Sequence, residues 1–241
     1  MKKVLILSNP RTGSTYLKDA INNSESLFYD ELIHPMPEEL RKHQYKYLKQ
    51  TFPELKTEQL ISEIFKFESV IDKMKKIDKI LNKISAKNKN KNCIGYKIFI
   101  QHLGNLNKLN PSDVFSFFDK VIFLNRSLKD QIYSKFQADK FTGYVTLNGR
   151  MKLDKMSDLK LNKEKNLSFV SNIINQNAQL LKLQNQKLSS KFISIDYKNF
   201  NNFKHLEDCL GFQIKPRFNF KPISHNYNAF FQNNPWIEEL L

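Results

Sequence analysis

VLILSNPRTGSTYL, residues 4–17, decides the fold of this chain. Its first four residues form a continuous apolar run, which is typical of a buried parallel strand. Residues 8–14 break that run, and residues 15–22 have the pattern of a helix. A strand, a loop and a helix in this order begin an open α/β sheet.

The same alternation continues along the chain. Further strands are predicted at 26–29, 93–100, 121–124 and 192–195, and helices at 57–85, from 127 onward, at 167–188 and at 205–210. Residues 213–235 are aromatic and asparagine-rich with little periodicity, so no element is predicted there. The pattern predicts one doubly wound α/β domain over residues 1–241, a three-layer open parallel sheet flanked by helices, with a helical, lysine-rich insertion around 57–92.

Composition narrows the function classes. The 39 Lys and Arg residues exceed the 24 Asp and Glu residues, so the formal net charge is +15, which attracts anionic ligands and polyanions. Eight of the lysines lie between 73 and 91, and we interpret them as a solvated helix face and loop. Cys93 and Cys209 are far apart in sequence, so neither a disulfide framework nor a zinc site is expected.

Hydropathy gives no sign of a membrane segment. The apolar run 4–7 is too short for the core of a signal peptide. No stretch approaches the roughly 20 apolar residues of a membrane-spanning helix. We therefore expect a cytoplasmic protein.

The loop after the first strand has the features of an anion site. A helix N-terminus there offers free N–H groups and the positive end of the helix dipole. Gly13 lets the backbone turn closely, Arg11 adds a fixed charge, and Ser14 and Thr15 add hydroxyl groups. The loop lacks the Walker A pattern and the Rossmann glycines, which disfavours nucleotide kinases and dinucleotide oxidoreductases.

A second candidate site follows the strand predicted at 121–124. Arg126 ends that strand, and Ser134 lies eight residues later, about two turns into the next helix. Both can face the carboxyl edge of the sheet, where open α/β folds bind ligands. Ser127 and Asp130 form a capping box at the start of the helix.

These segments resemble the two cofactor motifs of sulfotransferases that use 3′-phosphoadenosine-5′-phosphosulfate (PAPS). PRTGSTYL, residues 10–17, resembles the 5′-phosphosulfate loop, and Arg126 with Ser134 resembles the 3′-phosphate motif. Arginine at position 11 is similar to the carbohydrate, trehalose and nodulation-factor types, whereas most cytosolic members carry lysine. ISIDYKNFNNFKHLEDCLGF (193–212) and CIGYKIF (93–99) resemble later strands of the family, but residues 35–92 match nothing in it.

The resemblance implies a P-loop-nucleotide-hydrolase-like sulfotransferase fold and a role for each matched position. PAPS would be the co-substrate, with no metal, held by the residues of both motifs: Arg11, Thr12, Gly13, Ser14, Thr15, Tyr16, Arg126 and Ser134. Arg11, assisted by Lys97, would neutralise the leaving phosphate; the alternative for Lys97 is a lysine at the strand edge that reaches solvent. The general base would be Glu31, with His102 and then His34 as alternatives. The acceptor would be a hydroxyl group, preferably on a sugar or glycolipid.

Two other hypotheses about the function stay open from the sequence. One is a nucleotide-dependent, P-loop-like phosphotransferase, although no convincing acidic Mg²⁺ ligand is evident. The other is a non-catalytic basic protein that binds nucleic acid through residues 73–91 with strong salt dependence. The aromatic residues form no recognisable RNA-binding motif, so we expect no specific nucleic-acid partner.

Overall fold

The computed structural model describes residues 1–22, 25–30, 49, 69–103, 111–141, 159–185, 191–200, 202–214 and 227–241. Within them the strands are β1 (Lys2–Ser8), β2 (Ser26–Asp30), β3 (Cys93–Phe99), β4 (Lys120–Asn125) and β5 (Phe192–Asp196). The helices are α1 (Ser14–Ile21), α2 (Val70–Lys87), α3 (Pro111–Val114), α4 (Leu128–Phe141), α5 (Lys163–Asn185), α6 (Lys204–Leu210), α7 (Asn228–Asn233) and α8 (Pro235–Glu238). Short 3₁₀ turns follow β3 (Ile100–Leu103) and β5 (Tyr197–Asn199).

The five strands form one parallel sheet in the order β2-β3-β1-β4-β5. β1 is the central strand, and its last residue, Ser8, lies opposite Phe99 of β3 and Leu124 of β4. The carboxyl ends of three adjacent strands therefore meet at one edge. This register brings the loop after β1, the turn after β3 and Arg126 to the same place.

Side-chain alternation along β1 divides the core into two halves. Leu5 and Leu7 pack into a cluster with α2, α3 and the end of α5. Val4 and Ile6 point to the opposite face and pack with α1 and α6. A strand buried on both faces reads as a continuous apolar run, which explains the sequence signal. The predicted three-layer α/β class is confirmed.

A third apolar cluster joins α4 and the first half of α5 to the C-terminal helices α7 and α8. Residues 213–235, where weak periodicity gave no predicted element, contain α7 at 228–233 and the start of α8 at Pro235. These helices have six and four residues, too short to be stable without tertiary packing. Phe230, Phe231, Trp236 and Ile237 provide that packing.

Hydrogen bonds at helix N-termini fix the start of α5, which differs from the predicted one, and the start of α4. α5 begins at Lys163, four residues before the predicted start, because the side chain of Asn162 accepts a hydrogen bond from the backbone N–H of Lys165 at 2.9 Å. The first half of the predicted capping box of α4 is confirmed, since Ser127 Oγ accepts from the N–H of Asp130 at 3.2 Å. The Asp130 carboxylate accepts from Ser127 Oγ at 2.5 Å, in place of the backbone bond of a complete capping box.

The prediction of one continuous helix over 57–85 is wrong at Ser69, which is extended and caps the helix by accepting from the N–H of Asp72 at 3.1 Å, so that α2 begins at Val70 and runs to Lys87. Residues 57–68 lie outside the described part. No helix in the described ranges is both long and apolar enough to cross a membrane. The single-domain organisation with an insertion at 57–92 stays a prediction.

Candidate functional site

The loop between β1 and α1 is shaped as an anion receptor. Arg11 has φ 64° and Gly13 has φ 82°, so both lie in the left-handed region. A non-glycine residue there is uncommon and strained, and such residues cluster at ligand sites. Left-handed residues close together turn successive N–H groups inward. Gly13, the N-cap of α1, has no side chain that accepts from the first N–H groups of the helix, and these groups lie at the loop.

The hydroxyl groups of this loop divide into two sets. Thr12 is fully buried and its Oγ1 donates to the carbonyl oxygen of Asn9 at 2.8 Å. That bond closes the loop, so Thr12 stabilises the conformation of the loop. Ser14 is also buried, whereas Thr15 is exposed. The ring of Tyr16 stacks on Phe200, with centroids 5.5 Å apart.

Three cationic side chains converge beside the loop. Arg11 Nε donates to Ser134 Oγ at 3.3 Å. Arg126 Nη1 donates to the carbonyl oxygen of Arg11 at 2.8 Å. Lys97 Nζ donates to Thr15 Oγ1 at 3.3 Å. The structure thus brings together residues from the β1–α1 loop, from β3, from the position directly after β4 and from α4.

Lys97 differs from one sequence-based alternative, in which it was an edge lysine reaching solvent. It lies in β3, which is paired on both sides, and it is only 3% exposed. Its Nζ also lies 4.8 Å from the centre of the Phe99 ring. A buried ammonium group is costly unless it is paired, and its contact with Thr15 directs its charge toward the phosphate-type loop.

Arg126 carries the clearest sign of a missing partner. It is 8% exposed, and its guanidinium lies 4.2 Å from the centre of the Tyr197 ring. Its Nε is buried and has no hydrogen-bond partner among the described residues. A buried charged donor left unsatisfied is destabilising. An anion with several acceptor oxygens would remove that cost, so the site fits a phosphate group.

Tyr197 is a site residue that the sequence reasoning did not assign. It follows β5 directly, and its ring also lies 5.4 Å from Phe200. Asp196 begins this turn by accepting a hydrogen bond from the N–H of Lys198 at 2.7 Å. An Asp-Tyr pair just after the last strand was the available signal, because that position again lies at the carboxyl edge of the sheet.

A buried amide network behind the loop was also missed. Asn177 Oδ1 accepts from Asn9 Nδ2 at 3.4 Å and from Gln131 Nε2 at 3.2 Å. Gln131 Nε2 also donates to the carbonyl oxygen of Arg126 at 2.7 Å. This network ties both ends of the cationic site to α4 and α5. No short sequence motif predicts this network, because its three side chains come from three separate segments of the chain.

The candidate general bases are not placed by the structure. Glu31 and His34 lie outside the described residues. The backbone of His102 belongs to the turn after β3, at the correct sheet edge, but its side chain lies outside the described part. Within the described residues, no group of three or more His, Cys, Asp or Glu side chains could hold a metal ion.

Comparisons with known proteins add little beyond this geometry. No family model matches the chain, and no curated protein sequence matches it. Among solved structures, it is similar to a sulfotransferase domain from the curacin biosynthetic pathway, with 18% identity and a TM-score of 0.45 over 94% of this chain and 81% of that one. It is also similar to TT1252 from Thermus thermophilus, with 12% identity and a TM-score of 0.35 over 86% of this chain and 92% of that one. At these values neither similarity carries an argument about function.

Proposed function

We propose that this protein is a sulfotransferase that transfers a sulfuryl group from PAPS to a hydroxyl group. The observation that carries the proposal is the buried guanidinium of Arg126, with its unpaired Nε, next to a left-handed loop at the N-terminus of α1. Such a site suits a ligand with phosphate groups at two nearby points. PAPS has a 3′-phosphate and a 5′-phosphosulfate.

Each phosphate has its own group of donors in this proposal. The loop N–H groups, Arg11 and Lys97 hold the 5′-phosphosulfate. Arg126 and Ser134 hold the 3′-phosphate. The 3.3 Å bond between Arg11 Nε and Ser134 Oγ is long for a hydrogen bond, so a charged phosphate oxygen can replace Arg11 Nε as the partner of Ser134 Oγ.

The reaction needs a leaving group, a nucleophile and a base. The acceptor oxygen forms a bond to sulfur while the bond between sulfur and the bridging 5′-phosphate oxygen breaks. The acceptor proton passes to a general base, and the products are a sulfate ester and adenosine 3′,5′-bisphosphate. Negative charge grows on the bridging oxygen, where Arg11 and Lys97 stabilise it by preorganised electrostatics. Glu31 remains our first candidate for the base, ahead of His102 and His34.

The acceptor is, in this proposal, a hydroxyl group of a sugar or glycolipid, following the likeness of the Arg11 loop to carbohydrate-type enzymes. PAPS is a diffusing co-substrate, and no metal is required to neutralise charge because three cations already surround the loop.

Thermal melting with nucleotides tests the proposal. A ligand that binds only the native state raises the melting temperature by mass action. We expect adenosine 3′,5′-bisphosphate to raise it more than AMP or ATP, without added Mg²⁺. Arg126→Met should lose most of this shift. Its matched control is Lys160→Met, which removes one positive charge at an exposed position outside the site and should leave the shift unchanged.

Two results would contradict the proposal and favour one of the alternative functions. A shift that appears only with ATP and Mg²⁺ would favour a phosphotransferase. No shift with any nucleotide, together with salt-dependent binding to a DNA duplex, would favour the nucleic-acid binder.

A further inference from the structure

A cavity of about 210 Å³ opens next to the phosphate-type loop. Pro10, the neighbour of Arg11, forms one wall, and Gln101 of the turn after β3 forms another. The remaining walls come from α4 and α5. This volume is many times that needed for one water molecule, so the cavity can hold a ligand of about the size of a sugar ring.

The two helices present matching faces to this cavity. Phe169, Asn172, Ile173 and Gln176 line it from α5, and their spacing of three, four and seven residues places them on one helix stripe. From α4, Gln131 and Lys135 line it at a spacing of four residues. The cavity is therefore built on regular elements.

Its chemistry is dominated by carboxamides. Four of the lining residues carry an amide side chain: Gln101, Gln131, Asn172 and Gln176. Each amide offers two N–H donors and one oxygen acceptor, the same complement that hydroxyl groups use. Phe169 supplies one apolar ring, and the ammonium of Lys135 lies 5.6 Å from the centre of that ring.

Gln131 provides the observation that points to a ligand. It is only 2% exposed, and its Nε2 is used by the carbonyl oxygen of Arg126 and by Asn177. Its Oε1 is buried and accepts no hydrogen bond from the described residues. The same holds for Oδ1 of Asn9, next to Pro10. Of these two residues only Gln131 lines the cavity. Its unpaired buried acceptor requires a donor, and an alcohol O–H is a donor that a neutral ligand can bring.

From these contacts we infer that the cavity is the acceptor site, and that it selects a neutral polyhydroxylated ligand, of the size of one sugar ring, over a phenol or another flat apolar alcohol. This inference rests on the proposed function, because the ligand of the cavity is an acceptor only if the protein is a sulfotransferase. The amides and Gln131 Oε1 bind several hydroxyl groups, while Phe169 packs against one face of the ring. Gln131 is the specificity residue. Its Nε2 is held by the carbonyl oxygen of Arg126, which leaves Oε1 as the atom that accepts from a ligand hydroxyl group.

The test is saturation-transfer NMR on the full chain with adenosine 3′,5′-bisphosphate present. The probes are a mixture of glucose, galactose, N-acetylglucosamine and trehalose, and separately a mixture of 4-nitrophenol and 2-naphthol. We expect saturation transfer to the sugars and none to the phenols. Gln131→Leu and Gln176→Leu should each weaken sugar binding about tenfold, because an unmade hydrogen bond in a buried site has that order of effect.

Gln179→Leu is the matched control, since Gln179 lies on α5 and is partly buried but does not line the cavity. It should leave the sugar signals unchanged. Absent sugar signals, signals unaffected by both cavity variants, or transfer to the phenols at equal strength would overturn the inference. Binding of adenosine 3′,5′-bisphosphate is measured separately by melting. If the bisphosphate binds and the sugars do not, only the acceptor inference fails; if the sugars bind and the bisphosphate does not, only the PAPS proposal fails.

Discussion

Replacing Arg126 by methionine separates the cost of a buried charge from its use in ligand binding. The variant keeps an unbranched side chain of similar length under the ring of Tyr197. It removes the hydrogen bond from Nη1 to the carbonyl oxygen of Arg11, the cation–π contact at 4.2 Å and the unpaired Nε. The first two losses destabilise the ligand-free protein, and the third stabilises it.

These contributions nearly cancel without ligand. The charge-assisted hydrogen bond contributes about 1.5–3 kcal/mol, and the cation–π contact about 1 kcal/mol. Removing a buried unsatisfied charged donor returns about 3 kcal/mol. We therefore expect the free energy of unfolding to change by about 1 kcal/mol or less, and the melting temperature by about 2–4 °C at most for a chain of this size.

Ligand binding should change far more. Loss of one charged donor pair to the 3′-phosphate costs about 3 kcal/mol, which is a roughly 100-fold higher Kd. At a bisphosphate concentration of 100 times the wild-type Kd, the ligand stabilises wild-type protein by about 2.7 kcal/mol but the variant by only about 0.4 kcal/mol.

Urea unfolding with and without adenosine 3′,5′-bisphosphate measures both quantities. Lys160→Met controls for the loss of one positive charge. If Arg126→Met lowers the free energy of unfolding by several kcal/mol while the bisphosphate still stabilises it as in wild type, then Arg126 is a structural residue and the reasoning is refuted.

Three further predictions concern the fold around the site. Gly13→Ala should lower the free energy of unfolding by at least about 2 kcal/mol, because its Cβ would lie 2.8 Å from the Tyr197 ring at a φ of 82°; urea unfolding measures this. Asn234→Ala should cost about 3 kcal/mol in the same assay, because its buried side chain makes three hydrogen bonds, at 2.7–2.8 Å, that hold α8 to Leu159, Leu161 and α7. Cys93→Ala should flatten the alkaline loss of stability, because burial raises the pKa of the Cys93 thiol from 9.0 to about 12.

The sign of the thiol effect follows from proton binding. Between pH 9 and 12 the unfolded thiol loses its proton while the folded one keeps it, so stability falls as pH rises. Three pKa units correspond to about 4 kcal/mol at the top of this range. Cys209→Ala, at a partly exposed thiol, is the control for removing a thiol elsewhere in the chain. An equal alkaline slope in wild type and Cys93→Ala would contradict the assignment.

The other two variants have their own controls. Gly211 has a φ of 85° but meets only the end of the Lys2 side chain at 3.4 Å, so Gly211→Ala reports the backbone cost without the clash; equal effects at the two glycines would contradict the predicted contact with Tyr197. Gln232→Ala, at an exposed position on α7, should be neutral. An Asn234→Ala variant as stable as Gln232→Ala would show that the three hydrogen bonds contribute nothing.

Local signals predicted the central elements of this fold well. The run Val4–Leu7 predicts a strand buried on both faces, and the structure places it at the centre of the sheet with no exposure at any of the four residues. The predicted end of the helix 205–210 is confirmed, since the next residue, Gly211, is in the left-handed conformation at the end of α6. In each case the residues near the element determine it.

Long-range packing explains what the sequence did not predict. α7 and α8 depend on contacts with α4 and α5, and no periodicity within ten residues reports such contacts. The Asn234-Pro235 pair was an available signal, because proline is favoured in the first turn of a helix. The burial of Lys97 depends on β3 being an interior strand, and local sequence does not give strand order.

The same distinction holds for the candidate site. The loop 9–15 and the pair Arg126–Ser134 were identified locally, and their convergence followed from the rule that parallel strands end at one edge. Tyr197 and the amide network of Asn9, Gln131 and Asn177 come from separate segments. Only the fold brings these side chains to the loop.

Direct observation of sulfuryl transfer tests the central claim. PAPS labelled with ³⁵S is incubated with the protein and the sugar mixture, and the nucleotide and sugar fractions are separated by chromatography. We predict that adenosine 3′,5′-bisphosphate and a labelled sulfate ester form in equal amounts. At a PAPS concentration below the wild-type Kd, Arg126→Met should slow the formation of both about 100-fold, and Arg11→Ala should also slow both. The account would be contradicted if PAPS stays intact with the whole sugar mixture, or if both variants consume PAPS as fast as the wild-type protein does.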